Sequence, residues 1–274
     1  MFGAVIGDLA GSIYEYDQIK TAHEVSINNI IEEDAFFSDD TILTIAILDA
    51  ILSKKDYGEK LKEYGKKYET YLPNHKPYFK TTFSPGFTKW VNGDYVGESQ
   101  GNGAMMRVSP VGYLFDNEKD VLENARLATI PSHNDEVSIK YAQTVALIIY
   151  YFRKGYSKNE IIQKMNLEIK KPSISKFNYT CDATIDLCLY CIFNSNSFEE
   201  SIRLSISFGG DTDTNACIVA SMAEAAYGID KSLVEKATSK LPKEFVSMLE
   251  KGYEYTKKHK NTSRRLSEAK GYKY

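Results

Sequence analysis

The sequence predicts an all-α protein, a single compact domain built from many helices. Apolar residues recur with the helical period of about 3.6 in most segments, whereas the alternating pattern typical of a strand is scarce. Of the 274 residues, 43% are hydrophobic and 26% are charged, a balance typical of a chain that buries a sizeable core. No low-complexity linker or repeat of fixed period divides the chain. We therefore expect a helical bundle with short connections.

The helical segments are of two kinds. Some are apolar almost all round, which indicates helices that are buried on most sides; they span 41–53, 137–152, 180–193 and 214–227. The others are amphipathic and span 58–71, 118–128, 158–165, 198–207 and 243–259. Within the last apolar segment, residues 216–226 are rich in Ala and Ser, so neighbouring helices can approach the backbone closely. Residues 71–103 are rich in Pro and Gly and are predicted to form a long loop, a feature that usually has a function.

Charge and length limit the classes of protein to consider. The net charge of -3 produces no field that would favour nucleic acid or an anionic membrane as a partner. No targeting signal is evident at the N-terminus, and no window reaches the roughly 18 uncharged apolar residues of a membrane span. We predict one domain over residues 1–260 and a basic C-terminal tail over 261–274. The expected protein is a cytoplasmic monomer that does not associate with membranes.

The cysteines are interpreted as residues of the core. Cys188 and Cys191 form a CxxC pair, and Cys181 lies seven residues earlier in the same apolar stretch. This spacing places the three near one helical face, where buried thiols are ordinary apolar residues. The number of cysteines is too small for a disulfide framework in a chain of this size.

Two acidic clusters each precede a predicted buried helix: Ser38–Thr41 (SDDT) and Gly209–Thr214 (GGDTDT). One interpretation is helix capping, because Ser, Thr and Asp are preferred at helix N-termini. Capping needs only one such residue, whereas two carboxylates beside a buried helix are costly unless a cation compensates them. The clusters offer only oxygen ligands, which select Mg²⁺, Mn²⁺ or Ca²⁺ over zinc. The metal interpretation is therefore favoured over simple caps.

Other motifs in these clusters are incomplete. Asp211–Asn215 begins like a calcium-binding EF-hand loop, but Ala216 and Met222 occupy the positions that require Gly and Glu. The acidic pair of the first cluster is similar to that of helical prenyl-diphosphate enzymes, yet Leu43 stands where a third acid would be needed. Neither alternative is favoured.

Two glycine-containing motifs lie in the long loop. Residues 97–101 match G-x-S-x-G, but that motif needs a preceding strand and an α/β sheet, neither of which the pattern predicts. Residues 101–107 (GNGAMMR) form a glycine loop that runs into an apolar segment. Such a loop can present backbone N–H groups to an anion, and a plain turn is an equally good interpretation.

Taken together, the motifs resemble the ADP-ribosylglycohydrolase family. The matching segments, in the family's order, are GAVIGDLAGSIYE from Gly3, FFSDDT from Phe36, GNGAMMRVSPVG from Gly101, SHN from Ser132 and SFGGDTDT from Ser207. The resemblance implies an all-α fold with two Mg²⁺ ions in a cleft, with Mn²⁺ as an alternative. It also implies hydrolysis of the bond between C1″ of ADP-ribose and its acceptor.

The resemblance also implies roles for particular residues. The implied metal ligands are Ser38, Asp39, Asp40, Asp211, Asp213 and Thr214. The implied catalytic residues are Glu15, Asp39 and Asp40; Glu15 matches an acid beside the scissile bond in relatives that act on serine-linked ADP-ribose. The residues implied to bind substrate are Glu98, Ser99, Gly101, Asn102, Gly103 and His133. From the sequence alone, Glu15 could equally be an exposed residue in the first turn of a helix. For His133, a purely structural role is as good an interpretation as substrate binding.

The chain departs from the family's pattern in three places. Many relatives carry Tyr before the GNG turn, where it can stack on adenine, and here the residue is Gln100, so stacking falls to Tyr95 or Trp90, or adenine is held more loosely. Arginine-directed relatives tend to carry an acid near that turn, whereas Ser99 is neutral here, although Glu98 is adjacent. Asp182 and Asp186 replace neutral residues in a segment expected to form one wall of the cleft. The expected partners are an ADP-ribosylated target and ADP-ribose. The favoured target is a modified protein side chain, and a serine linkage is favoured over an arginine linkage. A nucleic-acid acceptor is not excluded by the sequence. The alternative function is a non-catalytic ADP-ribose-binding or structural relative.

Overall fold

A computed structural model describes residues 1–73, 81–94, 97–173 and 176–269, with side chains described as far as Lys258. Its helices in chain order are α1 (Phe2–Gly11), α2 (Glu15–Gln18), α3 (Asp39–Ser53), α4 (Tyr57–Lys67), α5 (Pro85–Asn92), α6 (Gly103–Met106), α7 (Ser109–Leu114), α8 (Glu118–Thr129), α9 (Glu136–Arg153), α10 (Lys158–Met165), α11 (Cys181–Asn194), α12 (Phe198–Ser207), α13 (Thr212–Tyr227), α14 (Lys231–Thr238) and α15 (Lys243–Ala269). The described residues contain only isolated bridges and no strand of a sheet, so the predicted all-α class is confirmed.

The centre of the domain is α13, which packs against α1, α9, α11 and α12. The first and the last of the segments predicted to be apolar all round, 41–53 and 214–227, correspond to α3 and α13. The side chains of both helices are buried along most of their length. Side chains cap the long helices where the sequence predicts a start: Ser38 accepts from the backbone N–H of Asp40, and Asp135 caps α9. The four cysteines are free and buried, as expected for thiols of the core.

The closest helix contact joins α1 to α13 and was not evident from the apolar pattern. Gly3, Gly7 and Gly11 recur every four residues and therefore share one face of α1. A Cβ atom built on them would lie 2.2, 2.1 and 2.2 Å from backbone carbonyl oxygens of α13. The two backbones thus touch without an intervening side chain. The prediction that a small-residue helix would allow close approach is confirmed by this contact.

Three sequence expectations differ from the structure. The amphipathic segment 58–71 forms α4, which already ends at Lys67. The loop predicted over 71–103 contains α5, where Ser84 caps the helix, Pro85 occupies its first turn and Gly93 ends it at φ 84°. The amphipathic segment predicted over 243–259 forms a helix that continues to Ala269. Residues 270–274 lie outside the described part, and the division into a domain and a tail stays a prediction. No described helix combines the length and the apolar character needed to cross a membrane.

The α1–α13 contact can be tested with Gly7→Ala. The added methyl group would lie 2.1 Å from the carbonyl oxygen of Ala216, so a backbone must move. We expect the free energy of unfolding to fall by about 3 kcal/mol, measured by urea denaturation followed by circular dichroism. Gly86→Ala is the matched control, because nothing lies within 4 Å of its Cβ position; its stability should change by less than about 1 kcal/mol. Equal stability of the two variants would contradict the close contact.

Candidate active site

A cleft of about 420 Å³ opens where the N-terminal ends of α3, α6 and α13 meet beside α2. This volume is in the range of small-molecule sites. Its lining includes both acidic side chains and aromatic rings. The residues that line it include most of those predicted from the sequence, which are Glu15, Ser38, Asp39, Ser99, Gly101, Asn102, Gly103, His133, Asp211, Asp213 and Thr214.

Asp8 is a site residue that the sequence patterns did not reveal. It is fully buried in α1, and its carboxylate accepts hydrogen bonds from the backbone N–H and hydroxyl of Ser38 (2.9 and 2.8 Å). It also accepts from the N–H and hydroxyl of Thr41 (3.0 and 2.6 Å), so Asp8 fixes the start of α3. Burial raises the pKa of Asp8 to about 6 in spite of these bonds. Its signal in the sequence was a carboxylate inside a short apolar segment.

The first acidic group consists of Asp8, Asp40 and Asp213, whose carboxylate oxygens lie within 4.8 Å of one another. Oδ2 of Asp40 accepts from the hydroxyls of Ser38 and Thr214, both at 3.2 Å. Oδ1 of Asp40 is buried and accepts from no N–H or O–H group in the described residues. Burial, followed by repulsion from Asp8 and neighbouring carboxylates, raises the pKa of Asp40 well above its usual range. A buried carboxylate oxygen without a donor is costly, and a cation would satisfy it.

The second acidic group consists of Glu15, Asp211 and Asp213, again with oxygens within 4.8 Å. Asp213 belongs to both groups. Burial raises its pKa well above the usual range, and repulsion from Glu15 and Asp211 raises it further. All the donors are carboxylate oxygens, the ligands of hard divalent cations. These acidic groups therefore could hold metal ions, and the sequence predicts Asp40, Asp211 and Asp213 as ligands. Asp211 and Asp213 line the cleft, whereas Asp8 and Asp40 are buried and are not among its lining residues.

The other predicted ligands lie beside these groups. Ser38 caps α3, so for this residue the capping interpretation is also correct. Asp39 lines the cleft half-buried, and its pKa is raised to about 7 by burial and by repulsion from Asp8 and Asp211. At the second cluster Asp211 occupies the N-cap position of α13 without making a side-chain capping bond, so capping does not account for it. Metal ligation by Ser38, Asp39 and Thr214 stays a prediction.

A glutamine joins α2 to the second acidic cluster. Gln18 is fully buried, and its Oε1 accepts from the backbone N–H of His23 (2.7 Å) and of Gly210 (3.3 Å). Gly209 and Gly210 have φ of 74° and 77°, a conformation that other residues rarely adopt. The bond from Gly210 therefore ties the helix that carries Glu15 to the turn that precedes Asp211.

The glycine turn predicted to bind substrate is tied to the acidic residues of the cleft. Nδ2 of Asn102 donates to Oδ2 of Asp211 at 2.7 Å, and the Asn102 backbone N–H donates to the carbonyl of Tyr179 at 2.7 Å. Ser99 accepts from the Gly101 N–H at 3.2 Å. Glu98 is exposed and is not among the residues that line the cleft, so of the predicted substrate residues it alone lies apart. The G-x-S-x-G interpretation is excluded, since residues 97–101 form isolated bridges and no strand.

Most of the aromatic residues that line the cleft were not predicted as site residues from the sequence. Phe83, Phe87 and Trp90 line the cleft with ring centroids 5.0 and 5.5 Å apart along the series. Phe177 also lines it, as does Tyr179, which is 64% exposed. Trp90 is one of the two residues that the sequence predicts to stack on adenine. The other, Tyr95, lies outside the described residues. Asp182 and Asp186 are exposed on α11 and do not line the cleft, so the expected change of that wall is not found.

Known proteins resemble this chain over most of its length. ADP-ribosylhydrolase ARH3 of Mus musculus is 22% identical, with 84% of this chain and 83% of that protein covered. ADP-ribosylarginine hydrolase Tri1 of Pseudomonas putida (strain GB-1) is 20% identical, covering 84% and 70%. ADP-ribosyl-[dinitrogen reductase] glycohydrolase of Rhodospirillum rubrum is 26% identical over 47% of each chain.

The fold is also known. A solved structure described as an ADP-ribosylglycohydrolase-related protein complex superposes with a TM-score of 0.64 at 18% identity, covering 93% of this chain and 92% of the other. The family model of the ADP-ribosylglycohydrolases matches residues 1–271. That match spans the acidic clusters, the glycine turn and the helices that hold them, and the chain therefore belongs to the ADP-ribosylglycohydrolase family.

Proposed function

We propose that this chain is a Mg²⁺-dependent hydrolase that cleaves the C1″ bond between ADP-ribose and a modified protein side chain and releases ADP-ribose. The observation that carries the proposal is the pair of acidic groups, joined at Asp213 and opening into a cleft beside the Gly101–Gly103 turn. Family membership supports the class of reaction, hydrolysis of a glycosyl bond of ADP-ribose. A monomeric, cytoplasmic protein stays part of the prediction.

The two acidic groups support two cations with Asp213 as a shared ligand. Asp8 and Asp40 would complete one site, and Asp211 would add to the other, while the adjacent Glu15 stays free for proton transfer. Mg²⁺ fits the all-oxygen donors, and Mn²⁺ is the expected substitute. Divalent cations bound here would hold ribose hydroxyls and lower the pKa of a water molecule.

The chain's own residues supply the proton transfers and the charge. Burial, then repulsion from Asp211 and Asp39, raises the pKa of Glu15 well above its usual range, so its carboxyl group holds a proton more readily than a free glutamate does. Glu15 can then donate a proton to the leaving acceptor oxygen, or accept one from the attacking water. Cleavage passes through a state with positive charge on the ribose ring, which nearby carboxylates such as Asp39 stabilise.

Two observations favour serine-linked over arginine-linked ADP-ribose. Glu15 lies in the cleft, in the position that the family resemblance associates with serine-directed relatives. The resemblance also associates arginine-directed relatives with an acid just before the glycine turn, where Ser99 is neutral and Glu98 does not line the cleft. One relative, Tri1, is named as an arginine hydrolase, so the arginine-linked substrate is the necessary comparison. For adenine, the exposed ring of Tyr179 is the best stacking surface.

The proposal is tested first by measuring release of ADP-ribose from serine-linked and arginine-linked peptides, with Mg²⁺ and then with excess EDTA. We expect release from the serine-linked peptide that EDTA abolishes and Mg²⁺ restores, because without the cations nothing in the cleft would lower the pKa of the attacking water. Preferred cleavage of the arginine-linked peptide would show that serine is not the favoured acceptor. Binding of ADP-ribose without any turnover would instead support the alternative, a non-catalytic ADP-ribose-binding relative.

Metal binding is tested with Asp213→Asn. Loss of one of several mutually repelling buried carboxylates should leave the melting temperature in EDTA equal or higher, so the variant remains folded. Wild-type protein should gain about 2.7 kcal/mol of stability for each occupied site at a Mg²⁺ concentration 100 times the dissociation constant, and the variant should lose most of this gain together with turnover. Asp17→Asn, which removes an exposed carboxylate of α2, is the control and should behave as wild type. A wild-type Mg²⁺ shift in Asp213→Asn would refute the shared ligand.

The role of Glu15 is tested with Glu15→Gln, which keeps the shape and removes the acid. We expect kcat to fall by about 10²–10⁴, the usual contribution of a general acid or base, while the affinity for ADP-ribose changes less than threefold. Steady-state kinetics and calorimetry separate the two quantities. If Glu15→Gln retained kcat within tenfold of the Asp17→Asn control, the proton-transfer role would be wrong.

A further inference from the structure

Behind the glycine turn, three buried side chains form a connected series. Nη2 of Arg107 donates to the carbonyl of Ala128 (3.1 Å) and to Oγ of Ser132 (2.7 Å). Oγ of Ser132 lies 2.8 Å from Nδ1 of His133. Arg107, Ser132 and His133 are 1%, 3% and 5% exposed, and all three line the cleft. The function proposed above assigns no task to Arg107 or Ser132.

The hydrogen-bond inventory of this series allows one arrangement of protons. Arginine has only donors, so Ser132 Oγ must accept from Arg107. The hydroxyl has a single proton to donate, and within the described residues its remaining partner is Nδ1 of His133. If Nδ1 itself carried a proton, the serine proton would be buried without an acceptor, which is costly. Nδ1 must therefore accept, and in a neutral imidazole the proton then lies on Nε2.

The other edge of the imidazole faces the glycine turn. A Cβ built on Gly103 would lie 3.4 Å from both Cε1 and Nε2 of His133, and one built on Gly101 would lie 3.9 Å from Nε2. Within the described ranges the one hydrogen bond of the His133 ring is that of Nδ1, which leaves Nε2 without a protein acceptor there. Nε2 thus lies beside the turn where a ligand would bind, and its N–H is free to donate a hydrogen bond to that ligand.

The charges agree with a neutral histidine. Burial lowers the pKa of Arg107 to about 10, so the guanidinium is still charged at neutral pH. Burial, and secondly the charge of Arg107, lowers the pKa of His133 well below its usual range. The positive charge therefore sits on Arg107, and the imidazole in front of it is uncharged.

We propose that Arg107 and Ser132 are positioning residues that hold His133 as the neutral tautomer with its proton on Nε2, so that this N–H donates to an oxygen of the bound ligand. The ligand oxygen must be an acceptor beside the Gly101–Gly103 turn; a diphosphate oxygen fits best, since the adjacent guanidinium charge favours an anion there. The identity of the ligand as ADP-ribose rests on the proposed function. The tautomer does not, because it follows from the hydrogen bonds within the protein.

The tautomer is measured directly by two-bond ¹H–¹⁵N correlation spectra of the full-length protein, which distinguish protonated from unprotonated ring nitrogens. The chain has four histidines, and His133→Gln identifies the signal of this residue. At neutral pH we expect His133 to show an unprotonated Nδ1 and a protonated Nε2. A protonated Nδ1 in the wild-type protein, whether in the other tautomer or in an imidazolium, would overturn the proposal.

The effect on binding is measured as a double-mutant cycle with ADP-ribose and calorimetry. In Ser132→Ala the histidine loses its fixed tautomer, and we expect the dissociation constant to rise about tenfold, the loss of roughly one good hydrogen bond. His133→Gln places an amide donor near the position of Nε2 that needs no serine, so adding Ser132→Ala to it should change the dissociation constant less than threefold. Ser205→Ala, a buried serine of α12 away from the cleft, is the control and should bind as wild type.

The outcomes separate this proposal from the hydrolase proposal. An equal tenfold loss from Ser132→Ala in both backgrounds would show that Ser132 does not act through His133 and would overturn the positioning role. If Ser132→Ala fails to fold, the wild-type spectrum still decides the tautomer. Absence of turnover together with the expected tautomer and the expected cycle would remove the hydrolase and leave the positioning role supported.

Discussion

The cleft depends on how closely α1 packs against α13. The three glycines on the contact face of α1 let its backbone touch that of α13, where any larger residue would hold the helices apart. This approach places Asp8 among the carboxylates at the start of α13. Asp8 in turn holds Ser38 and Thr41 through four hydrogen bonds, which fixes the start of α3 and with it Asp40. A single backbone contact thereby assembles acidic residues from three distant segments of the chain.

Such an assembly opposes folding unless something compensates it. Burial raises the pKa values of Asp8, Asp39, Asp40 and Asp213, which means that the ionised groups are less stable here than in water. A protein that needed these residues only as helix caps would need one per helix and would leave no carboxylate oxygen without a donor. The cluster therefore makes physical sense as a cation site, and the apolar surroundings of α3 and α13 supply the stability that the cluster removes.

The sequence predicts the helices that are long and have a strong apolar period. The other helices are missed because they are short or contain residues that disfavour a helix in isolation. α3, α9, α11 and α13 are evident because each is long enough for the apolar period to show. α1 contains three glycines, which disfavour a helix in isolation, and only its contact with α13 selects one. Asp8 was therefore visible as a residue but not as a ligand. In the series Arg107–Ser132–His133, Arg107 lies 25 residues before the adjacent Ser132 and His133, and no spacing rule reveals a tautomer.

The two ends of the cleft have opposite electrostatic character, and this matches a ligand such as ADP-ribose. At one end, buried carboxylates that repel one another favour a cation, which would in turn hold the hydroxyls of a ribose. At the other, the neutral His133 faces the Gly101–Gly103 turn with the charge of Arg107 behind it, an environment that favours an anion without any metal. Asn102 joins the two ends, since its side chain donates to Asp211 while its backbone belongs to the turn. A ligand bound at the turn is thus held in fixed register with the acidic groups, which include Glu15, the residue proposed to transfer the proton.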